Sequence, residues 1–408
     1  MKQFDASQEL PALLERRDVS CAEMAALAAR LADFHTLASR SDAARDFDYR
    51  DGLSHSVLGN LATLIAHRQG STGNAELGHL LDWTHDTLHE LLPAVAEREA
   101  SGFVRECHGD LHAHNIVRWD GRLTPFDCLE FDARLRFIDV MSDIAFLVMD
   151  LVSYRREDLA YQFLSSYLEV AGDYGGIRWL PFYAVYRALV RAMVDALGAE
   201  QRPADSESLK GRMLARMRTA VEFTRAPKPT LYIMHGPSGS GKSWLSERLV
   251  PMLGAIRIRS DIERKRLLKG SDGGEGQAAE ASRYTPEKRE RIYRHLMDCA
   301  KASLAAGVSV IIDATFLRLA DRQAFRALAA RLAARFVILA CTAEKTEIVR
   351  RIESRSRQDP SDADVAIFEK QWAHLEALSP AEECEVVRVD TASADWESQV
   401  RALERNGS

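Results

Sequence analysis

A glycine-rich run followed by one lysine and one hydroxyl is the most chemically specific stretch of the chain. Thr230 to Leu249 reads TLYIMHGPSGSGKSWLSERL. Gly236, Pro237, Ser238, Gly239, Ser240, Gly241, Lys242 and Ser243 fit the pattern G-x-x-x-x-G-K-[ST]. Glycines let successive backbone N–H groups turn inward around phosphate oxygens, and the helix that follows aims its positive end at the same anion. Lys242 is placed to reach the β- and γ-phosphates, and the Ser243 hydroxyl to ligate Mg²⁺. An apolar strand, Leu231 to Met234, precedes the run and a helical pattern follows it, which is the context this pattern needs. The expected cofactors are a nucleoside triphosphate, ATP, and Mg²⁺.

A second constellation lies in Cys107 to Asp132, CHGDLHAHNIVRWDGRLTPFDCLEFD. It holds H-G-D-x-x-x-x-N, with His108, Gly109, Asp110 and Asn115. Two short alternating strands follow, Ile116 to Trp119 and Arg122 to Phe126, joined by the hairpin signal Asp120-Gly121. Asp127 stands directly after the second strand. Asp110, Asn115 and Asp127 therefore converge at one end of a hairpin. An aspartate to accept a hydroxyl proton, with an asparagine and a second aspartate to hold Mg²⁺, is what a kinase catalytic loop requires.

Other candidates lie C-terminal to the glycine-rich run. Asp261 follows a short strand at the start of a helical pattern, and Asp313 ends the apolar run Val308 to Asp313. Arg351 is one helical turn from Arg355 on one face. Arg257, Arg259, Arg264, Lys265, Arg266 and Lys269 form a basic cluster that suits an anionic acceptor or a solvated helix face.

Composition narrows the class. The chain has 408 residues, 46% of them apolar, enough for packed cores in two or three domains. A net charge of −6 offers no global basic field for nucleic acid or a membrane surface. Six scattered cysteines without a C-x-x-C pair suggest reduced thiols rather than a zinc site. The N-terminus has no apolar leader, and the most apolar stretch, Phe137 to Val152, carries three aspartates. A cytoplasmic protein without membrane or sequence-specific nucleic-acid binding is expected.

Residues 1–223 read as mainly helical around the hairpin, and 224–229, with two prolines, as a linker. Residues 230–408 alternate strand and helix, which implies a parallel sheet with helices on both faces. The fold class is α/β, a mainly helical part followed by a nucleotide-binding sheet domain.

HGDLHAHNI followed by FDCLEFD resembles the catalytic centre of aminoglycoside and choline phosphotransferases, which share the protein-kinase fold. That resemblance implies Asp110 as catalytic base, Asn115 and Asp127 as metal ligands, and Asp143 as the anchor of the catalytic loop backbone. No G-x-G-x-x-G or strand lysine precedes His108, so a kinase-like C-lobe is expected, with Met1 to Phe4 resembling the last strand of an absent lobe. GPSGSGKS, RSDIERKRL, YTPEKRERIY, VIIDATF and RRIESRSRQDPSDADVAIFEKQ resemble gluconate kinase, polynucleotide kinases and zeta-type toxins. This implies Asp261 as general base, Asp313 near Mg²⁺, and Arg351 and Arg355 as lid arginines. Together the two halves resemble bacterial fusions of an aminoglycoside phosphotransferase-like domain with an AAA family ATPase-type P-loop domain.

The leading expectation is a P-loop kinase that transfers the γ-phosphate to a hydroxyl of a small molecule, nucleotide or polynucleotide, the acceptor being anionic if the basic cluster faces it. One alternative is an ATP-dependent regulatory switch with incidental hydrolysis. Another is an aminoglycoside-type kinase in the N-terminal part, if an N-lobe exists upstream.

Overall fold

The computed structural model describes residues 5–40, 48–67, 74–225, 227–270, 286–354 and 364–405. Its internal contacts fall into two compact units, Met1–Ala226 and Pro227–Ser408.

The N-terminal unit is helical with two small pairs of strands. It opens with α1 (Leu10–Glu15), α2 (Cys21–Leu37), α3 (Tyr49–His67) and α4 (Asn74–Ala100). The start of α2 is fixed by a reciprocal cap: the Ser20 hydroxyl accepts the Glu23 N–H, and the Glu23 carboxylate accepts the Ser20 N–H. Then come β1 (Val104–Glu106), β2 (Ile116–Trp119), β3 (Arg122–Pro125), α5 (Ala133–Arg136) and β4 (Phe137–Asp139). β2 and β3 form the expected hairpin, and its turn residues Asp120 and Gly121 both have positive φ, 47° and 73°. β3 ends at Pro125, one residue earlier than expected. β1 pairs antiparallel with β4, a pairing not foreseen. The unit closes with α6 (Val140–Ser153), α7 (Glu157–Ala171), α8 (Leu180–Gln201) and α9 (Ser206–Thr224). α6 is buried from Val140 to Leu151, including Asp143 and Asp150. It forms the centre of the core against α7 and α8.

The C-terminal unit is a five-stranded sheet with helices between its strands. In chain order it contains β5 (Thr230–His235), α10 (Lys242–Leu253), β6 (Ala255–Arg259), α11 (Ser260–Gly270), α12 (Pro286–Ala305), β7 (Ser309–Asp313) and α13 (Leu319–Arg331). β8 (Arg335–Thr342), α14 (Lys345–Glu353), α15 (Val365–Ala373), β9 (Val386–Asp390) and α16 (Trp396–Arg405) follow. The strand order is β6-β7-β5-β8-β9 and every pair is parallel. β5 is central: Leu231 pairs with Val310 on one side and Phe336 on the other. Its nearly continuous burial explains the unbroken apolar run in the sequence. The carboxyl ends of β5 and β7 open at one edge of this sheet, where parallel α/β sheets place their ligands.

The strand expected at Met1–Phe4, the Gly-rich segment beyond Gly270, Thr285 and Arg355 all lie outside the described residues, as does the side chain of Lys269. No helix among the described residues is long and apolar enough to cross a membrane.

Candidate active site

The glycine-rich run forms a tight loop between β5 and α10. Gly236, Gly239 and Gly241 have φ of 139°, 84° and 85°. A Cβ at Gly241 would lie 2.6 Å from Thr391 Oγ1, and one at Gly236 would lie 2.9 Å from the Cys341 carbonyl. Glycine is thus required by conformation and by close approach together. The Gly236 N–H donates to the Thr315 carbonyl at 3.1 Å, which ties the loop to the end of β7. Lys242 arches back over the loop, its Nζ donating to the Pro237 carbonyl at 2.7 Å. Ser240 is fully buried, and its hydroxyl has no hydrogen-bond partner among the described residues.

Two carboxylates face this loop. Asp313, at the end of β7, accepts from the Ser246 hydroxyl at 3.1 Å and lies 4.0 Å from Arg259 Nε. Asp261, in the first turn of α11, lies 3.7 Å from Arg264 Nη2. Burial raises the Asp261 carboxyl above its ordinary value; Arg264 opposes the shift and Asp313 adds to it. Lys242, Ser243, Asp261 and Asp313 line one cleft of about 890 Å³.

The walls of the cleft are basic. Arg259 and Arg264 reach it from the expected cluster, joined by Lys288, Arg289, Arg318, Arg351 and Lys370. Arg257, Lys265 and Arg266 do not line it. Arg266 pairs with Glu263, Arg257 donates to the Ser243 carbonyl at 3.3 Å, and Lys265 is exposed. Sequence reading missed Lys288, Arg289 and Arg318, because a charged helix does not announce which face it presents. Arg289 is held by Asp321 and stacks over the Tyr293 ring at 4.5 Å.

Arg351 lines the cleft, but its donors are engaged beside it. Nε donates to Glu347 at 2.7 Å, and Nη1 and Nη2 donate to the Thr391 hydroxyl and carbonyl at 2.9 and 3.2 Å. Hydrogen bonds from Arg350 and Arg351 hold the Glu347 carboxyl down at about 2. The Thr391 hydroxyl is also 2.9 Å from the Ser240 carbonyl, so Arg351 is linked to the loop through Thr391. Gln371 of α15 accepts the Ser238 N–H at 2.7 Å. Thr391 carried no signal in the sequence, and Gln371 was only the last residue of the quoted stretch that ends FEKQ.

The second constellation is assembled in the N-terminal unit. Asn115 Nδ2 donates to the Asp110 carboxylate and carbonyl, each at 3.0 Å. His112 Nε2 lies 3.3 Å from the same carboxylate. Burial alone would raise the Asp110 carboxyl, but His112, Arg187 and Arg191 outweigh it and the group sits below its ordinary value. Asp143 accepts the N–H groups of His108 and Gly109 at 3.2 and 3.0 Å and faces His35 Nε2 at 3.2 Å. Phe126 N–H donates to Asn115 and Leu129 N–H to His108, each at 3.0 Å, so Asp127 is carried beside the loop by main-chain bonds. Asp127 is exposed and has a φ of 59°.

Comparison with known proteins gives three findings. A family model described as an AAA domain matches residues 231–378, wholly within the C-terminal unit. Curated proteins of Mycobacterium bovis and Mycobacterium tuberculosis, both described as uncharacterized, are 29% identical over 332 residues, 81% of this chain. The chain spans about 66% of the length of those relatives. A match of 332 residues exceeds either compact unit, so it draws on both. Among solved structures, a Janibacter sugar kinase has a TM-score of 0.33 and 22% identity, covering 43% of this chain and 93% of that one. A gluconokinase of Sinorhizobium meliloti (0.32, 18%, 44% and 96%) and an APS kinase of Mycobacterium tuberculosis in complex with AMPPNP and APS (0.33, 18%, 45% and 99%) are similar in extent. The matched segment contains the glycine-rich loop at residues 236–243 and four of the five parallel strands.

Proposed function

We propose that the C-terminal unit is a phosphotransferase that moves the γ-phosphoryl group of ATP to a hydroxyl-bearing acceptor. One observation carries this reading: Lys242, Ser243, Asp261 and Asp313 meet in a single basic cleft. The loop suits a phosphate chain, because positive φ at its three glycines gives the tight turn that such cradles use. Lys242 would exchange the Pro237 carbonyl for phosphate oxygens. Ser243 and Asp313 are the residues suited to Mg²⁺, which when bound neutralises charge on the phosphates. Asp261 takes the proton from the acceptor hydroxyl, and its raised carboxyl makes it a stronger base than an ordinary aspartate. Arg351, and Arg355 beyond the described residues, would neutralise charge on the transferring group. The basic walls favour an anionic acceptor such as a sugar acid, a nucleotide or a polynucleotide end.

The N-terminal unit supports a reading of its own as a kinase-like C-lobe, with Asp110 as base and Asn115 and Asp127 as metal ligands. The contacts from Asp143 to the His108 and Gly109 amides favour it, since they fix the backbone that presents Asp110. In this reading the chain divides into a domain at 1–223, a linker at 224–229 and a P-loop domain at 230–408.

The test is transfer of labelled γ-phosphate to sugar acids, nucleosides, 5′-hydroxyl oligonucleotides and aminoglycosides. Lys242→Ala and Asp261→Asn should each lower transfer on the order of 100-fold or more. ATP hydrolysis with no labelled acceptor, unchanged in Asp261→Asn, would favour the regulatory switch. Transfer lost in Asp110→Asn but kept in Lys242→Ala would move the chemistry to the N-terminal unit.

A further inference from the structure

Two arginines of the N-terminal unit lie beside the H-G-D loop and make no hydrogen bond or ion pair among the described residues. Arg187 and Arg191 stand one turn apart on α8. Arg187 is only 6% exposed, and its Nε has no hydrogen-bond partner among the described residues. Neither guanidinium forms an ion pair with any described residue. Arg187 rests over the ring of Phe146 at 4.9 Å, and the imidazole of His112 meets that same ring at 5.4 Å. His112 in turn lies 3.3 Å from Asp110, whose side chain is 34% exposed and so opens the cluster to solvent. His112 Nδ1 is buried without a partner as well.

The nearby carboxylates form no hydrogen bond or ion pair with these arginines and take other partners. Asp110 accepts from Asn115 and faces His112. Asp143 accepts two backbone N–H groups and faces His35. Asp150 accepts the Ala113 N–H and lies near Arg216, and Asp195 accepts from Arg212 and Arg216. Charges of both signs therefore balance here, and the feature left over is hydrogen-bonding capacity. A guanidinium presents five donors in a fixed fork that matches the oxygens of phosphate, and a buried one without acceptors is unfavourable. The ring contacts with Phe146 and Tyr186 supply no acceptor.

We propose that Arg187 and Arg191, with His112, bind a phosphate-type oxyanion beside Asp110. The N-terminal unit thus takes a phosphorylated ligand rather than a polycationic aminoglycoside, whose ammonium groups would meet the two guanidinium groups. This site is independent of the P-loop.

Calorimetric titration of inorganic phosphate into the full chain tests it. Lys242→Ala is the background, to weaken phosphate binding at the P-loop. Phosphate should bind this variant, and adding Arg191→Gln or Arg187→Gln should weaken binding by about ten-fold or more, as expected for loss of a charge-assisted hydrogen bond. Arg191 is only partly buried, so Arg191→Gln gives the answer even if Arg187→Gln fails to fold. Kanamycin titrated into the same background should give no heat of binding. Absence of phosphate binding in Lys242→Ala, an affinity that neither arginine variant changes, or kanamycin binding stronger than phosphate would each overturn the proposal.

Discussion

Single residues of the P-loop unit make sharp predictions because their surroundings leave little freedom. Gly241→Ala places a methyl group 2.6 Å from Thr391 Oγ1 on a backbone at φ 85°. It should destabilise the C-terminal unit by roughly 1–3 kcal/mol in urea unfolding. His235, at the end of β5, donates from Nδ1 to the Phe316 carbonyl at 3.0 Å, and burial pushes its pKa down to about 4. The unfolded chain takes up that proton near pH 6.5 and the folded one only near 4, so stability falls as pH drops between them. The full effect is about 3 kcal/mol, and His235→Gln should flatten that limb of the stability–pH curve. Asp261 has the opposite displacement. Its raised carboxyl places the acid limb of the pH–rate profile above 3.8, and Asp261→Asn should remove the limb together with the activity.

Elements differ in how much of them was legible. Asp120-Gly121 marked its hairpin because a two-residue turn needs positive φ at both positions, a local demand that residue type can answer. β1 and β4 were not legible. VRE and FID are three residues each and pair only because the fold brings Val104 opposite Asp139. Arg322 is a charged residue of α13, yet it is 1% exposed. It donates to Glu382 at 2.6 Å and to the carbonyls of Phe316 and Ala377 at 3.2 and 3.1 Å. Nothing in its own segment foretells a partner sixty residues away. The P-loop was readable because its chemistry is carried by one short run, whereas Thr391 and Gln371 join it from distant elements. Apart from its apolar contact through Phe368 with Ile348 and Ile352, α15 is joined to the loop by Gln371. Gln371→Ala should speed amide hydrogen exchange along α15 by about ten-fold, the value of one hydrogen bond.

At the scale of the whole molecule, the chain carries two compact units with separate polar centres. A separately expressed Pro227–Ser408 should fold and bind ATP with an affinity within about three-fold of the full chain, since every described residue lining the cleft belongs to that unit. Loss of ATP binding in the isolated unit would show that the P-loop depends on the N-terminal half. The net charge of −6 hides the basic cleft, which is why composition alone did not expose it.

The central place of β5 also governs when the cleft comes into being during synthesis. The strand leaves the ribosome first of the five, yet its partners are β7 and β8, and Thr230 bonds to Ser309, 79 residues later. Until Phe336 has emerged, β5 has at most one neighbour, and an apolar edge strand is open to pairing with another chain. The glycine-rich loop is therefore translated long before the sheet that shapes it. A nascent chain halted before Arg335 should aggregate or recruit chaperones, while one that has passed Thr342 should not.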